Sequence, residues 1–181
     1  MIIPRSLAPA SVPEQIILEF SMPTLLQFLQ GEGWCVRPDQ HSLFPQIIAS
    51  LPDVECIIRF GTLARSGTGW SDFTLSAPFI VDSEVSPFIG ALWNRKNRFG
   101  RVYRINKSLF LEMDVVLEGG VTQTYLQYVL AIWADLIQAF LVHLRDDQNI
   151  LLRYKRRKQA EQRIQILATC TSGKLRIQPI W

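Results

Sequence analysis

Alternating apolar and polar residues predict β-strands over much of the first half of the chain. Strands are predicted at residues 34–37, 43–49, 54–60 and 73–81. In the last of these, Phe73, Leu75 and Ala77 face one side of the sheet, and Thr74 and Ser76 face the other. Pro45 lacks a backbone N–H, so its strand is expected at a sheet edge or to carry a bulge. Three glycines between residues 61 and 70 predict a long hairpin loop.

A second pair of strands is predicted at residues 101–106 and 109–117, joined by a turn at 106–108. The second strand places Leu109, Leu111, Met113, Val115 and Leu117 on one face. Its other face carries Phe110, Glu112, Asp114 and Val116. Paired carboxylates can perform acid–base chemistry, but on the solvent side of an antiparallel strand Glu112 and Asp114 are expected to face water. Gly119 and Gly120 are expected to end the strand.

Three helices are predicted from apolar residues spaced three and four apart. The first follows Ser21 and ends near Gly31. The second is expected to open at Asp82 and Ser83 and to run to about Asn97, with Val85, Phe88, Ile89, Leu92 and Trp93 on its apolar face. The third is capped by Thr122 and runs to about Arg145, with two adjoining apolar stripes that contain Tyr125, Val129, Ile132, Leu136 and Phe140, and Leu126, Leu130, Trp133, Ile137, Leu141 and Leu144.

The ends of the chain are less regular. Residues 16–20 suit either a short helix or a strand, and three prolines predict an irregular arm before them. Asp146 and Asp147 are expected to interrupt the third helix. A basic helix at 149–162 and a β-hairpin at 163–181 should follow.

These elements predict an α+β fold in the order α-β-β-β-α-β-β-α, an antiparallel sheet with helices on one face. A C-terminal helix and hairpin extend it. The expected organisation is an arm at 1–14, one domain at 15–146 and a basic extension at 147–181.

The run from Ser76 to Leu144 resembles the YbjN family, whose fold is like that of type III secretion chaperones. The likeness is carried by residues 77–81 at a strand end, residues 94–97 at a helix end, Gly100, and residues 118–122 before the long helix. It extends over about residues 15–145, and the C-terminal residues have no counterpart in the family pattern. The resemblance implies an often dimeric domain that binds partner-protein segments, or a sensory-transduction regulator.

The composition is that of a globular protein: 48% hydrophobic and 19% charged residues, with a net charge of +3. The N-terminus lacks the apolar run of a signal peptide, and no apolar stretch reaches the roughly 18 residues of a membrane span. A cytoplasmic protein is expected. Cys35, Cys56 and Cys170 fit neither a disulfide framework nor a zinc site, and are expected to be small buried side chains in a reducing compartment.

Reactive groups in a catalytic arrangement are missing from the sequence. His41 and His143 have no metal-ligand spacing, and His143 is expected to lie at a helix C-terminus, where its charge complements the helix dipole. Gly173-Lys174 lacks the residues of a phosphate-binding loop. We therefore predict no enzyme, no cofactor and no metal.

Surplus apolar surface on the helices predicts a contact with another protein. The third helix is apolar over more of its surface than a small sheet covers, which leaves Tyr125, Tyr128 and Trp133 for a partner or a second copy. Phe88 and Trp93 on the second helix are candidate homodimer contacts. The alternative is ordinary core, with the surplus covered by the C-terminal extension.

A basic segment supplies a second binding hypothesis. Residues 153–163 carry Arg153, Lys155, Arg156, Arg157, Lys158 and Arg163. Such a run binds nucleic-acid phosphates or anionic headgroups, but without interleaved aromatic side chains a solvated helix surface is the favoured interpretation. Binding to a partner protein is the leading hypothesis for this chain, and nucleic acid is the alternative.

Overall fold

The computed structural model describes residues 14–171 except 53 and 82–84, and it describes no side chains at 148–157 or 160–171. Three α-helices are present in this part of the chain: α1 (Met22–Gly31), α2 (Ile89–Lys96) and α3 (Gln123–Thr171). The strands are β1 (Ile16–Ile17), β2 (Cys35–Pro38), β3 (Gln46–Ser50), β4 (Glu55–Phe60), β5 (Asp72–Ile80), β6 (Arg101–Ile105), β7 (Ser108–Val116) and β8 (Val121–Thr122).

Six of the strands form one antiparallel sheet in the order β2-β3-β4-β5-β7-β6. The predicted α+β class is confirmed. The sheet has four strands between α1 and α2, which overlap the four strand segments predicted there, although the order α-β-β-β-α-β-β-α contains only three at this place. The expectation for Pro45 is wrong, because β3 pairs on both sides and Pro45 precedes its first residue. There the missing N–H removes no ladder hydrogen bond.

A second, two-stranded sheet joins the N-terminal segment to the start of α3. Ile16 pairs with Thr122, and Ile17 pairs with Val121. Residues 16–17 therefore form a strand and not the short helix that the sequence also allowed. Gly120 makes the approach possible: it has a φ of +91°, and a Cβ there would lie 2.5 Å from Ile16 Cγ2.

The core lies between the helices and one face of the six-stranded sheet. Phe73, Leu75 and Ala77 of β5 are buried, as are Leu109 and Leu111 of β7, so the predicted alternation is confirmed. Against them pack Leu25 and Leu29 of α1, Trp93 of α2, and Trp133 and Phe140 of α3. The opposite face of the sheet, termed the open face here, carries the residues between these apolar ones.

Helix α1 begins where its capping residues predict. Ser21 accepts a hydrogen bond from the Thr24 N–H at 3.4 Å, and Thr24 Oγ1 accepts one from the Ser21 N–H at 2.9 Å. Together these form a capping box. Pro23 lies in the first turn, where no intrahelical N–H bond is lost.

Helix α2 begins at Ile89, several residues later than predicted. The spacing of Val85, Phe88 and Ile89 imitates a helix, but residues 85–88 form a bend and a turn. The proposed capping residue Ser83 lies outside the described residues. Phe88 holds the N-cap position without a side-chain hydrogen bond.

Helix α3 runs without interruption from Gln123 to Thr171, so the predicted break at Asp146 and Asp147 is wrong. Asp147 instead uses its carboxylate in a tertiary contact, where Oδ2 accepts a hydrogen bond from the Ser86 N–H at 3.0 Å. Residues 164–168 are helical and not the first arm of a hairpin; residues 172–181 lie outside the described part of the chain. The expected boundary at 146/147 thus falls inside a helix.

Candidate partner-binding surfaces

The start of α3 is fixed by two side chains, and its first two turns carry two exposed tyrosines. Thr122 Oγ1 accepts a hydrogen bond from the Tyr125 N–H at 3.1 Å, which confirms the predicted cap. Glu14 Oε1 accepts a hydrogen bond from the Thr124 N–H at 2.7 Å. Hydrogen bonding by the side chain and the backbone of Thr124 lowers the pKa of Glu14. Tyr125 is 47% exposed and Tyr128 is 63% exposed.

Helix α2 divides its apolar residues between core and surface. Trp93 is 2% exposed, and its ring lies edge-on to Phe140 with the centroids 5.0 Å apart. Phe88 is 69% exposed, and Leu92 is half-exposed one turn away from it. Part of the predicted apolar face of this helix therefore lies in the core, and the rest is exposed to solvent.

Trp93 and Trp133 are core residues and not surface contacts. Trp133 is fully buried beside Cys56 of β4. Burial raises the pKa of the Cys56 thiol to about 11, and the neighbouring Trp133 side chain opposes this only in part. The two tryptophans fill the space between α2, α3 and the sheet, so a partner cannot reach them in this structure.

The candidate contact residues consequently do not form one site. Helix α2 packs beside Phe140 and His143, whereas Tyr125 and Tyr128 lie in the first turns of α3. At 1.5 Å per residue, Tyr125 and Phe140 are about 22 Å apart along the helix axis. The exposed candidate residues therefore lie in two separate places, the tyrosines in the first turns of α3 and Phe88 at the start of α2.

His143 also differs from its predicted role. It lies in the interior of α3, where its Nε2 is 3.4 Å from the Ile89 carbonyl oxygen and its ring is 5.6 Å from that of Trp93. Since α3 continues to Thr171, His143 cannot complement a helix C-terminus. Its observed position is at the junction between α2 and α3.

A buried carboxylate at the centre of the open face is the main feature that the sequence did not predict. Glu112 of β7 is 3% exposed, although it was expected to face water. Its Oε1 accepts hydrogen bonds from Arg59, from the Tyr103 hydroxyl at 2.8 Å and from the Ser76 hydroxyl at 3.1 Å. Arg101 binds the other oxygen, Oε2, at 3.2 Å.

Asp114, two residues along β7, extends this cluster. Arg101 Nη1 contacts Asp114 Oδ2 at 2.5 Å, and the Thr74 hydroxyl donates to Oδ1 at 2.7 Å. The hydrogen bond from Arg101 is the main cause of the lowered pKa of Asp114. Two arginines and two carboxylates balance, so the cluster presents no net charge to a ligand.

The electrostatics of Glu112 are set by opposing effects. Burial acts to raise its pKa, but the hydrogen bond from Tyr103 and the charge of Arg59 outweigh burial, and the pKa lies below its ordinary value. Glu112 is therefore ionised at neutral pH and not poised as a proton donor. The arrangement links β4, β5, β6 and β7 across the open face, which is a structural role.

A cleft of ≈ 390 Å³ adjoins this cluster at Arg59 and Thr74. One wall is formed by Phe60 and Trp70, whose rings stack with centroids 4.3 Å apart. Trp70 ends the hairpin loop predicted at 61–70, and its backbone pairs with Phe20. The loop thus builds a wall of the cleft.

Groups of histidine, cysteine and acidic residues that could hold a metal ion do not occur among the residues whose placement is described. Of the cysteines, Cys56 is buried as expected and Cys35 is exposed, which corrects the expectation for that residue. Cys35 lies on the four-residue strand β2, which has only one strand neighbour to cover it. The side chain of Cys170 is outside the described part.

For the basic segment, the structure describes the backbone and the side chain of Lys158. Its backbone belongs to α3, in agreement with the predicted helix. The side chains of Arg153, Lys155, Arg156 and Arg157 lie outside the described residues, and Lys158 is exposed. Binding of anions by this segment stays a prediction.

Among the described residues one helical stretch, Gln123–Asp147, is long and apolar enough to cross a membrane by length and composition, with a mean hydropathy of 1.5, which corrects the expectation that no stretch reaches that length. Core helices of soluble proteins can have the same length and the same apolar composition. Leu126, Leu130, Trp133, Ile137 and Phe140 of this stretch lie in the core against the sheet.

Comparison with known families gives one match. Residues 90–146 fit the YbjN family model, described as "Putative bacterial sensory transduction regulator". The match supports the YbjN resemblance. It covers about a third of the chain, from α2 through the first half of α3. No curated protein and no solved structure matches the chain.

The matched residues whose role is visible are structural. A Cβ at Gly100 would lie 3.0 Å from Leu136 Cδ1 and 3.1 Å from Leu111 Cδ1, so a glycine lets β6 approach α3. Asn97 donates from Nδ2 to the Trp93 carbonyl at 3.1 Å at the end of α2. Within the matched residues, Gly100 and Asn97 therefore have roles in the packing of α2, β6, β7 and α3.

Proposed function

We propose that this chain is a non-catalytic protein-binding module of the chaperone-like or regulatory kind, located in the cytoplasm. The observation that carries the proposal is the exposure of Tyr125 and Tyr128 on a helix whose opposite side is buried in the core. Aromatic side chains dominate the energetics of protein contacts because they bury a large area with few rotatable bonds. The regulator description of the YbjN family and the chaperone likeness of its fold are consistent with such a module.

The bound segment would lie across the tyrosines at the start of α3. The neighbouring Gln127 is held by Glu32 of α1, with Nε2 donating to Oε1 at 2.8 Å. This contact fixes one side of the surface before a partner arrives, which lowers the entropy lost on binding. Phe88 is a second, separate contact for the same partner or for a homodimer.

Site-specific photo-crosslinking tests the proposal. A photoreactive amino acid replaces Tyr128, and in a second protein it replaces Phe88. A third protein carries it at Glu55, an exposed residue on the open face, as the control. Crosslinked proteins are identified by mass spectrometry, and the protein captured from Tyr128 is then purified and titrated by calorimetry.

We expect Tyr125→Ser/Tyr128→Ser to weaken binding of that protein at least tenfold, since anchor tyrosines each contribute on the order of 2 kcal/mol. Equal capture from the Glu55 position, or unchanged affinity of the double variant, would rule out this surface. Capture of a second copy of the chain would assign the tyrosines to a homodimer interface instead.

A further inference from the structure

A groove of ≈ 680 Å³ lies between the N-terminal segment and helix α1. One wall is formed by the consecutive residues 15–20, which include β1, and the other by one side of α1. Successive side chains of an extended segment point to opposite faces, so a groove along one face would contact only every second residue. Because all the residues from 15 to 20 line this groove, it follows an edge of the segment.

This edge of β1 has no strand beside it in the part of the chain that the structure describes. Strand β1 belongs to a two-stranded sheet in which β8 is its neighbour, and neither residue of β8 is among those that line the groove. The groove therefore follows the free edge of β1. Such an edge carries N–H and C=O groups that can pair with a strand of another molecule.

Apolar side chains give this groove a surface on which a strand can pack. Ile16 and Leu18 are each more than half exposed. At the end of the segment, the Phe20 ring lies 5.6 Å from that of Phe28 on α1. The Phe20 N–H donates to the Trp70 carbonyl oxygen at 3.0 Å, and its carbonyl oxygen accepts from the Trp70 N–H at 2.9 Å. The groove is thus held in place before any partner binds, which lowers the cost of binding.

Two carboxylates give the groove a negative charge. Glu19 accepts hydrogen bonds from the hydroxyls of Ser66 at 2.6 Å and Thr68 at 3.0 Å. Glu32 accepts one from the Gln127 amide at 2.8 Å. These donors are uncharged, and the described residues that line the groove include no lysine or arginine. Glu32 also occupies the C-cap position of α1, where the helix dipole is negative, so a cation beside it is stabilised.

We infer that this groove binds an extended segment of a partner protein, which adds as a strand to the free edge of β1 and places a lysine or arginine beside Glu32. Backbone hydrogen bonds to β1 give such a contact its affinity, and alternate side chains give it specificity. The carboxylates disfavour nucleic acid and acidic segments as occupants. The inference rests on the proposed function, because Gln123 of the groove precedes Tyr125 and Tyr128 on α3, and the groove adjoins their surface.

A selection from phage-displayed random peptides, with the full chain as bait, tests the inference. Enriched peptides are synthesised with a fluorescent label and titrated by fluorescence polarisation against variants of the chain. Gly31→Trp fills the groove from α1, since a Cβ at Gly31 meets no atom within 4 Å and a larger side chain is accommodated. Gln30→Trp is the matched control, because Gln30 is exposed on the same helix and does not line the groove.

We expect the enriched peptides to alternate apolar and polar residues and to contain lysine or arginine. Gly31→Trp should weaken their binding roughly tenfold or more, because the indole occupies the space of the peptide, and Gln30→Trp should leave it unchanged. Glu32→Gln should weaken binding about threefold, as for one exposed ion pair, and this difference should disappear at high salt. Methylation of alternate backbone nitrogens in the peptide should abolish binding, because it removes the donors to β1.

Several results would overturn the inference: enrichment of no peptide or of acidic peptides, equal binding to Gly31→Trp and Gln30→Trp, or full binding after methylation of the backbone. A photoreactive amino acid at Gln27, an exposed residue that lines the groove, provides an independent test. Crosslinks from it to residues 1–13 or to a second copy would assign the groove to that occupant and not to a partner protein. If circular dichroism shows that Gly31→Trp does not fold, Gln27→Trp takes its place.

The double variant Tyr125→Ser/Tyr128→Ser separates this inference from the proposed function. If the double variant loses binding of the protein captured from Tyr128 while Gly31→Trp retains both that protein and the peptides, the groove is refuted and the tyrosine surface stands. If Gly31→Trp alone loses the peptides and the captured protein, the groove stands and the tyrosine surface is refuted.

Discussion

Replacing Glu112 by glutamine removes one negative charge from the buried cluster without changing its size. Four side chains donate to the Glu112 carboxylate: Arg59, Ser76 and Tyr103 to one oxygen, and Arg101 to the other. A glutamine has one oxygen and one NH₂ group, so in either orientation a donor of the cluster faces another donor.

The expected loss follows from the two charged contacts. Removing one partner of a buried ion pair costs about 3–5 kcal/mol, and hydrogen bonds to charged groups contribute about 1.5–3 kcal/mol each. Arg59 and Arg101 are 43% and 53% exposed, so water partly replaces the lost carboxylate. We therefore expect the free energy of unfolding to fall by about 2–3 kcal/mol. The urea midpoint should fall by roughly 1 M.

The pH dependence gives a second, independent signature. The folded pKa of Glu112 lies below its ordinary value of 4.5, so its ionisation stabilises the folded state above that pH. This stabilisation is lost as the pH falls through the folded pKa. The glutamine does not titrate, and the difference between the two proteins should shrink below about pH 4.5.

Urea unfolding followed by circular dichroism at pH 7 and at pH 3.5 measures both effects. Glu55→Gln is the matched control, because Glu55 is 66% exposed in the same sheet and lies 3.9 Å from Arg37. Exposed pairs at this distance contribute about 0–1 kcal/mol. A loss in Glu112→Gln no larger than in Glu55→Gln at pH 7 would refute the structural role of the cluster.

Three further predictions concern packing, thiol reactivity and the basic segment. Gly100→Ala should lower stability by about 1–3 kcal/mol, since its Cβ would lie 3.0 Å from Leu136 Cδ1 in a packed core; chemical denaturation measures this. Cys35 should react with iodoacetamide in the folded protein, whereas Cys56, buried and with its pKa raised to about 11, should react only after unfolding; peptide mass spectrometry assigns each label. If residues 153–158 bind nucleic acid, affinity should fall steeply between 50 and 200 mM salt; a salt-independent affinity would exclude that mode.

Strands β3, β4, β5 and β7 were predictable because the residues that face the core alternate with residues of the open face. That pattern repeats every second residue and is readable without knowing which strands pair. The cluster around Glu112 was not predictable in this way. It depends on the register that sets Ser76 and Arg101 opposite Glu112, and a single sequence does not specify which strands are neighbours.

Both errors in the helices arise from local patterns that tertiary contacts override. Val85, Phe88 and Ile89 are spaced as in a helix, yet Val85 is buried from a bend and Phe88 is exposed. Asp147 is expected from the sequence to interrupt α3, but its carboxylate binds the Ser86 N–H from within the helix. Val85 packs in the core and Asp147 binds a distant backbone group, and local propensity describes neither contact.

The prediction that the surplus apolar surface of α3 contacts a partner stays a prediction, but burial separates its candidate residues. The sheet and α2 bury Trp133 completely, which removes it from the candidate contacts. Tyr125 and Tyr128, in the first turns of the same helix, remain exposed.

The length of α3 places the two candidate binding surfaces, the tyrosines and the basic segment, far apart. Tyr128 and residue 153 belong to one continuous helix, and 25 residues at 1.5 Å each place them about 38 Å apart along its axis. Charges at that distance are screened at physiological salt, so neither site influences the other electrostatically. Tyr125→Ser/Tyr128→Ser should consequently leave any salt-dependent binding of nucleic acid unchanged. If that double variant weakens both kinds of binding equally, the two surfaces are one site or the helix does not run straight between them.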